Sequence, residues 1–151
     1  MEYLIRINNL KKYFPVKTGI IKRTTGNIKA VDGVSFNIKK GQVLGVVGES
    51  GCGKSTLGRT ILRLLTPTSG EVLYEGRNIF EMNNREMRTM RTRMQIVFQD
   101  PYSSLNPRLP VYDIVGEAML QHKIVKSKSE MKERVIEIIE RCGLHPEQAE
   151  R

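Results

Sequence analysis

The chain has 151 residues, 39% of them hydrophobic and 27% charged, with no Trp and a net charge of +9, a composition that excludes disordered, collagen-like and fibrous classes. No apolar run approaches the roughly 18 residues that span a bilayer, and the N-terminus mixes charged with apolar residues, so the chain reads as neither secreted nor membrane-spanning. Cys52 and Cys142 stand apart with no CxxC or Cys/His cluster, which points away from a disulfide framework or zinc site and toward a reducing compartment.

Residues 3–14 read as a strand or hairpin arm, followed by a Lys/Thr/Gly-rich loop over residues 15–29. Val34, Phe36 and Ile38 alternate with polar neighbours as a half-buried strand does, and Lys39-Lys40-Gly41 closes it. Residues 42–47, QVLGVV, are apolar without alternation, the pattern of a strand buried on both faces of a parallel sheet. Leu57, Ile61, Leu64 and Leu65 recur at helical spacing and predict a helix over 55–65, ended by Pro67 and Gly70. A strand over 71–75, a helix with a basic outer face over 83–93 and a strand over 94–98 follow. Residues 100–110 carry three prolines and predict a loop. Two further helices are predicted over 111–121 and 129–142, the second with Met131, Val135, Ile138, Ile139 and Cys142 as a buried stripe and Gly143 as its C-terminal cap.

The charge is uneven. Residues 1–40 hold nine Lys/Arg against Glu2 and Asp32, whereas residues 111–151 hold seven against eight acids. The basic stretch 15–29 has no aromatic residue to stack on bases, so it reads as a solvated or phosphate-facing loop and no nucleic-acid partner is expected.

Between the apolar run and the first helix, GESGCGKS at residues 48–55 satisfies GxxxxGK[ST] in the strand-turn-helix setting that this motif requires. Gly48, Glu49, Ser50, Gly51, Cys52 and Gly53 would curl the backbone so that successive amides point inward, and the helix that follows offers free N–H groups and a positive dipole end to the same anion. Lys54 supplies a point charge for the β- and γ-phosphates of a nucleotide, Ser55 a hydroxyl oxygen for Mg²⁺, and Thr56 a donor to a neighbouring phosphate. The glycines fall at 48, 51 and 53, which does not fit the dinucleotide pattern GxGxxG. Asp100 mimics a metal-binding carboxylate at a strand end, but Gln99 breaks the apolar run and Pro101 follows, so it is set aside. His122 and His145 show no metal or catalytic spacing.

GESGCGKSTLGRTILRLLTPTSGEV, with LKKYFPVK and AVDGVSF upstream and QIVFQDPYSSLNPR downstream, resembles the ATP-binding subunit of an ABC importer of the oligopeptide/dipeptide class, over about residues 4–146. The resemblance implies an α/β P-loop NTPase fold of the ABC ATPase type. Its parts would be an antiparallel β-subdomain over about 1–40, a P-loop core over 41–100, and the start of a helical subdomain over 101–151. It implies that Gln99 is the Q-loop glutamine at the Mg²⁺ and attacking water, and that Phe14 stacks on adenine, with Tyr13 as the alternative. The implied cofactors are ATP and Mg²⁺. The implied partners are a second ATP-binding subunit, permease transmembrane subunits and, indirectly, an extracytoplasmic peptide-binding protein, with the chain peripheral on the cytoplasmic face of the membrane.

The family's signature loop of LSGGQ type, Walker B aspartate, catalytic glutamate and switch histidine have no match here. The expectation is an N-terminal part of a longer subunit, lacking the C-terminal half of the domain and inactive as an ATPase by itself. Two rival readings stay open at this point: a nucleic-acid ATPase, suggested by the charge, and a non-enzymatic nucleotide-binding fragment, suggested by the missing motifs.

Overall fold

The computed structural model describes residues 3–18, 23–98, 100 and 105–150. The chain divides into two compact units, Met1–Gln95 and Ile96–Arg151, each with its own core.

In the first unit, β1 (Tyr3–Thr18) pairs antiparallel with β2 (Arg23–Lys39) along one edge and with β3 (Ser69–Tyr74) along the other, and β3 turns into the short β4 (Arg77–Asn78), giving the order β2-β1-β3-β4. Glu75 and Gly76 both take positive φ, the conformation of a two-residue hairpin turn whose twist matches its strands. Along β2 the expected alternation appears, with Val34, Phe36 and Ile38 half-buried between exposed neighbours. Ile7, Leu10, Val31, Val72 and Tyr74 from the sheet enclose Leu57 of α1 (Lys54–Ile61), and Ile79 and Met82 complete this core. Helix α2 (Asn84–Met90) begins with a capping box: the Asn83 side chain accepts from the Glu86 amide at 3.0 Å while the Glu86 carboxylate accepts from the Asn83 amide at 2.9 Å.

The second unit is helical. Helix α3 (Val111–Gln121) has the bounds that its periodicity predicts, and α4 (Lys128–Arg141) starts where Ser127 accepts from the Glu130 amide at 3.1 Å. Val125, Met131, Val135 and Ile139 pack with Ala149 of a 3₁₀ turn at Pro146–Glu150.

Five local expectations are corrected. The loop expected over 15–29 is strand at both ends, β1 running to Thr18 and β2 starting at Arg23, because the two arms pair with each other as a hairpin (Val16 with Gly26, Thr18 with Arg23) despite their polar composition. Residues 42–47 carry no sheet pairing and are exposed, Val43 and Val47 at 95% and 96%. Residues 94–98 likewise form no strand, and Val97 is 93% exposed. An apolar run favours a strand only where a neighbour supplies hydrogen bonds and cover, and among the described residues none is placed to do so. Helix α1 stops at Ile61, short of residue 65, because Arg63 takes φ +52° and its guanidinium donates to the carbonyls of Ile79 and Met82 at 2.9 and 2.6 Å. Cys142 is exposed: it is the C-terminal cap of α4, past the buried face, and Ile138 also lies off that face. Residues 101–104 of the predicted loop lie outside the described residues.

Candidate functional site

The turn over residues 48–53 runs into α1, whose N-cap is Gly53 at φ +98°. The Cys52 amide donates to the Glu49 carbonyl at 3.3 Å, and the first helical bond is Leu57 N–H to Gly53 O at 2.8 Å. The amides of Lys54, Ser55 and Thr56 therefore precede the helical ladder and have no intrahelical acceptor, the condition that makes a helix start an anion receptor. Lys54 folds back over the turn: its Nζ donates to the carbonyls of Gly48 and Glu49, each at 2.6 Å, and lies 3.5 Å from Cys52 Sγ. The Lys54 ammonium is thus held against the turn. Glu49, Ser50, Gly51, Cys52 and Ser55 are exposed, and Thr56 is half-buried. The turn is tightly drawn, since a Cβ on Gly48 would come within 2.7 Å of Cys52 Sγ.

The turn rests on β2. A Cβ on Gly53 would run into the carbonyl oxygen of Ala30, so only glycine permits this approach as well as this φ. Beside the contact opens a cavity of about 590 Å³. Val34, Phe36, Val46 and Leu57 line it alongside the polar residues Lys54, Cys52, Lys29 and Asp32.

Lys29 and Asp32 belong to a cluster that sequence reasoning did not single out. The Tyr13 hydroxyl donates to the Asp32 carboxylate, Lys29 Nζ lies 3.4 Å from Asp32 Oδ2, and the same ammonium stands 5.6 Å from the centre of the Tyr13 ring. The hydrogen bond from Tyr13 holds the Asp32 carboxyl below its ordinary pKa, with Lys29 adding to it, while the same bond raises the Tyr13 phenol. The available signal was Asp32 itself, an acid within a strongly basic stretch. Phe14 sits next to Tyr13 on β1, opposite Ile28, partly exposed, with the Lys12 ammonium 4.8 Å from its ring centre. Gln99 lies outside the described residues.

The chain matches the ABC transporter family over residues 31–151. It is 47% identical to the oligopeptide transport ATP-binding protein AppF of Bacillus subtilis over 146 residues, covering 96% of this chain and 44% of that protein. It is 44% identical to the dipeptide transport ATP-binding protein DppF of Haemophilus influenzae over 144 residues, covering 95% of this chain and 43% of that protein. Among solved structures, the ATP-binding cassette MJ0796, a dimer in a post-hydrolysis state bound to ADP and Pi, superposes with a TM-score of 0.76 at 28% identity, covering 97% of this chain and 60% of that one. The chain therefore spans less than half the length of these two transport proteins.

Proposed function

The chain belongs to the ABC transporter family, and from that premise we propose that it is the nucleotide-binding part of an ATP-binding subunit that energises oligopeptide or dipeptide import. The observation that carries the proposal is the turn over 48–53 bringing Lys54 to the start of α1, where the amides of Lys54, Ser55 and Thr56 lack an intrahelical acceptor. There the β- and γ-phosphates of ATP would take over the Lys54 ammonium from part of its carbonyl shell, and the helix dipole would favour their charge. Ser55 presents an exposed hydroxyl beside Lys54 and fits a hard cation, whereas among the described residues no cluster of three His, Cys, Asp or Glu could hold a metal unaided. Mg²⁺ bound with the nucleotide neutralises phosphate charge, and Ser55 and Gln99 would be its ligands from this chain. Phe14 would stack on the base at the far end of the nucleotide.

Partners follow from the same reading. A second ATP-binding subunit would complete the site, permease transmembrane subunits would receive the movement, and a peptide-binding protein would act on the far side of the membrane. No helix among the described residues is long and apolar enough to cross a membrane, and a peripheral place on its cytoplasmic face accords with that. The relatives favour transport over the nucleic-acid reading of the charge.

The test is titration of the chain with MgATP beside its Lys54→Ala variant. We expect the variant to bind at least about tenfold more weakly, since a charged hydrogen-bonding group is lost; equal affinities would overturn the role of the turn. The 151-residue chain alone should release no phosphate above background. Lys54, Ser55 and Gln99 supply part of the stabilisation, and hydrolysis also needs a placed carboxylate at the water and charge compensation from the partner.

A further inference from the structure

The ladder between β1 and β2 is irregular just before the aromatic pair. Register shifts fall between Leu10 and Lys12 and again between Lys12 and Tyr13, after which the pairing runs evenly as Tyr13 with Lys29, Phe14 with Ile28 and Pro15 with Asn27. Beyond Leu10 on β1 and before Val31 on β2 no described residue of the ladder is buried, so no apolar face fixes the register there, and Pro15 brings no amide to reinforce it. Side chains do the fixing. Tyr13 donates its hydroxyl to Asp32 across the strands, its amide donates to Thr68 Oγ1 at 2.8 Å, and the Thr68 amide donates to the Lys11 carbonyl at 2.7 Å. Asp32 lies two residues from Ala30, whose carbonyl is pressed against Gly53 of the phosphate turn. One chain of contacts thus links the strand that bears Phe14 to the loop that bears Lys54.

We propose that Tyr13 and Asp32 are positioning residues for the nucleoside end of the site: their hydrogen bond sets the register of β1 on β2 and so fixes Phe14 relative to the phosphate turn. The proposal rests on the reading of Phe14 and Lys54 given above. Tyr13 and Phe14 are adjacent on an even stretch of strand, so their side chains leave opposite faces of the ribbon. A slip of one residue would exchange them and turn Phe14 to the opposite face, breaking the Tyr13–Asp32 bond. Lys29 keeps the Asp32 carboxylate from standing as a bare negative charge beside a site for phosphates, its ammonium bridging the carboxylate and the Tyr13 ring.

The experiment measures affinity for two ligands, MgATP and magnesium tripolyphosphate, which shares the phosphates and lacks the nucleoside. The proteins are the full chain and its Tyr13→Phe, Asp32→Leu, doubly substituted and Lys54→Ala variants. Tyr13→Phe removes one oxygen, and Asp32→Leu keeps the branched side-chain shape at an exposed position while removing both acceptor oxygens, so both should fold. Each single variant should bind MgATP about tenfold more weakly, the effect of losing a hydrogen bond to a charged group, and tripolyphosphate as tightly as before. The double variant should be no weaker than the worse single one, because the two residues act through one bond. Unchanged MgATP affinity in either single variant, an equal loss for both ligands, or no preference of the parent chain for MgATP over tripolyphosphate would each overturn the proposal. Lys54→Ala separates the two readings: it should weaken both ligands, and if it weakens neither, the phosphate turn itself has been misread.

Discussion

Gly53 and Ala30 lie so close that the carbonyl oxygen of Ala30 occupies the place where a Cβ on Gly53 would be. Gly53→Ala would therefore force either the turn or β2 to move, in addition to placing a side chain at φ +98°. We expect a loss of about 1–3 kcal/mol in stability together with weaker MgATP binding, measured by urea unfolding and by titration. A variant as stable as the parent and equal to it in binding would show that the turn does not rest on β2.

Both cysteines should be alkylated in the folded protein, since both are exposed. They should differ in protection. Cys52 Sγ lies 3.5 Å from Lys54 Nζ inside the turn, so bound MgATP should shield it, and a bulky label there should block the nucleotide in return. Cys142 at the end of α4 should label at the same rate with or without nucleotide. Peptide mass mapping after timed labelling reads both rates, and equal labelling of Cys52 in the presence of saturating MgATP would count against the site.

Glu86 offers a pH-dependent signal in the first unit. Its carboxyl is held below the ordinary range first by the Asn83 amide and then by the Arg77 guanidinium at 2.6 Å. A depressed pKa means that the carboxylate contributes stability above its ordinary value, roughly pH 4.3, and that this contribution is lost as pH falls through the lower folded value. Glu86→Gln should therefore lower the Tm at neutral pH, and the gap from the parent should narrow as the pH drops below 4.3. A gap that persists unchanged into acid would show that charge plays no part.

In the second unit, Gly116 is buried in α3 against Met131 of α4, and a Cβ on Gly116 would collide with the Met131 sulfur. Met131→Ala alone should cost about 2–5 kcal/mol, as emptying a full core site does. Gly116→Ala should destabilise the parent but stabilise the Met131→Ala background, where the room exists and alanine is the better helix former by about 1 kcal/mol. Urea unfolding of the four proteins closes the cycle, and strictly additive effects would contradict the contact.

What sequence alone could determine was local. The turn over 48–53 followed by Lys54 and Ser55 was legible because its glycines, lysine and hydroxyl lie within eight residues and act on one another directly. Helix α3 was legible to the residue because Pro110 starts it and its periodicity spans its whole length. The alternation of Val34, Phe36 and Ile38 exposed one half-buried edge in the same way. Only the tertiary structure could decide where distant segments meet. Arg63 leaves the helical pattern for carbonyls sixteen and nineteen residues away, which no helix signal contains. The apolar runs 42–47 and 94–98 state a demand for neighbours without naming any, so their strand character depended on pairing that the described residues do not provide. Tyr13 and Asp32 meet across nineteen positions through a ladder with five register shifts, and register of that kind is an outcome of packing, not of composition.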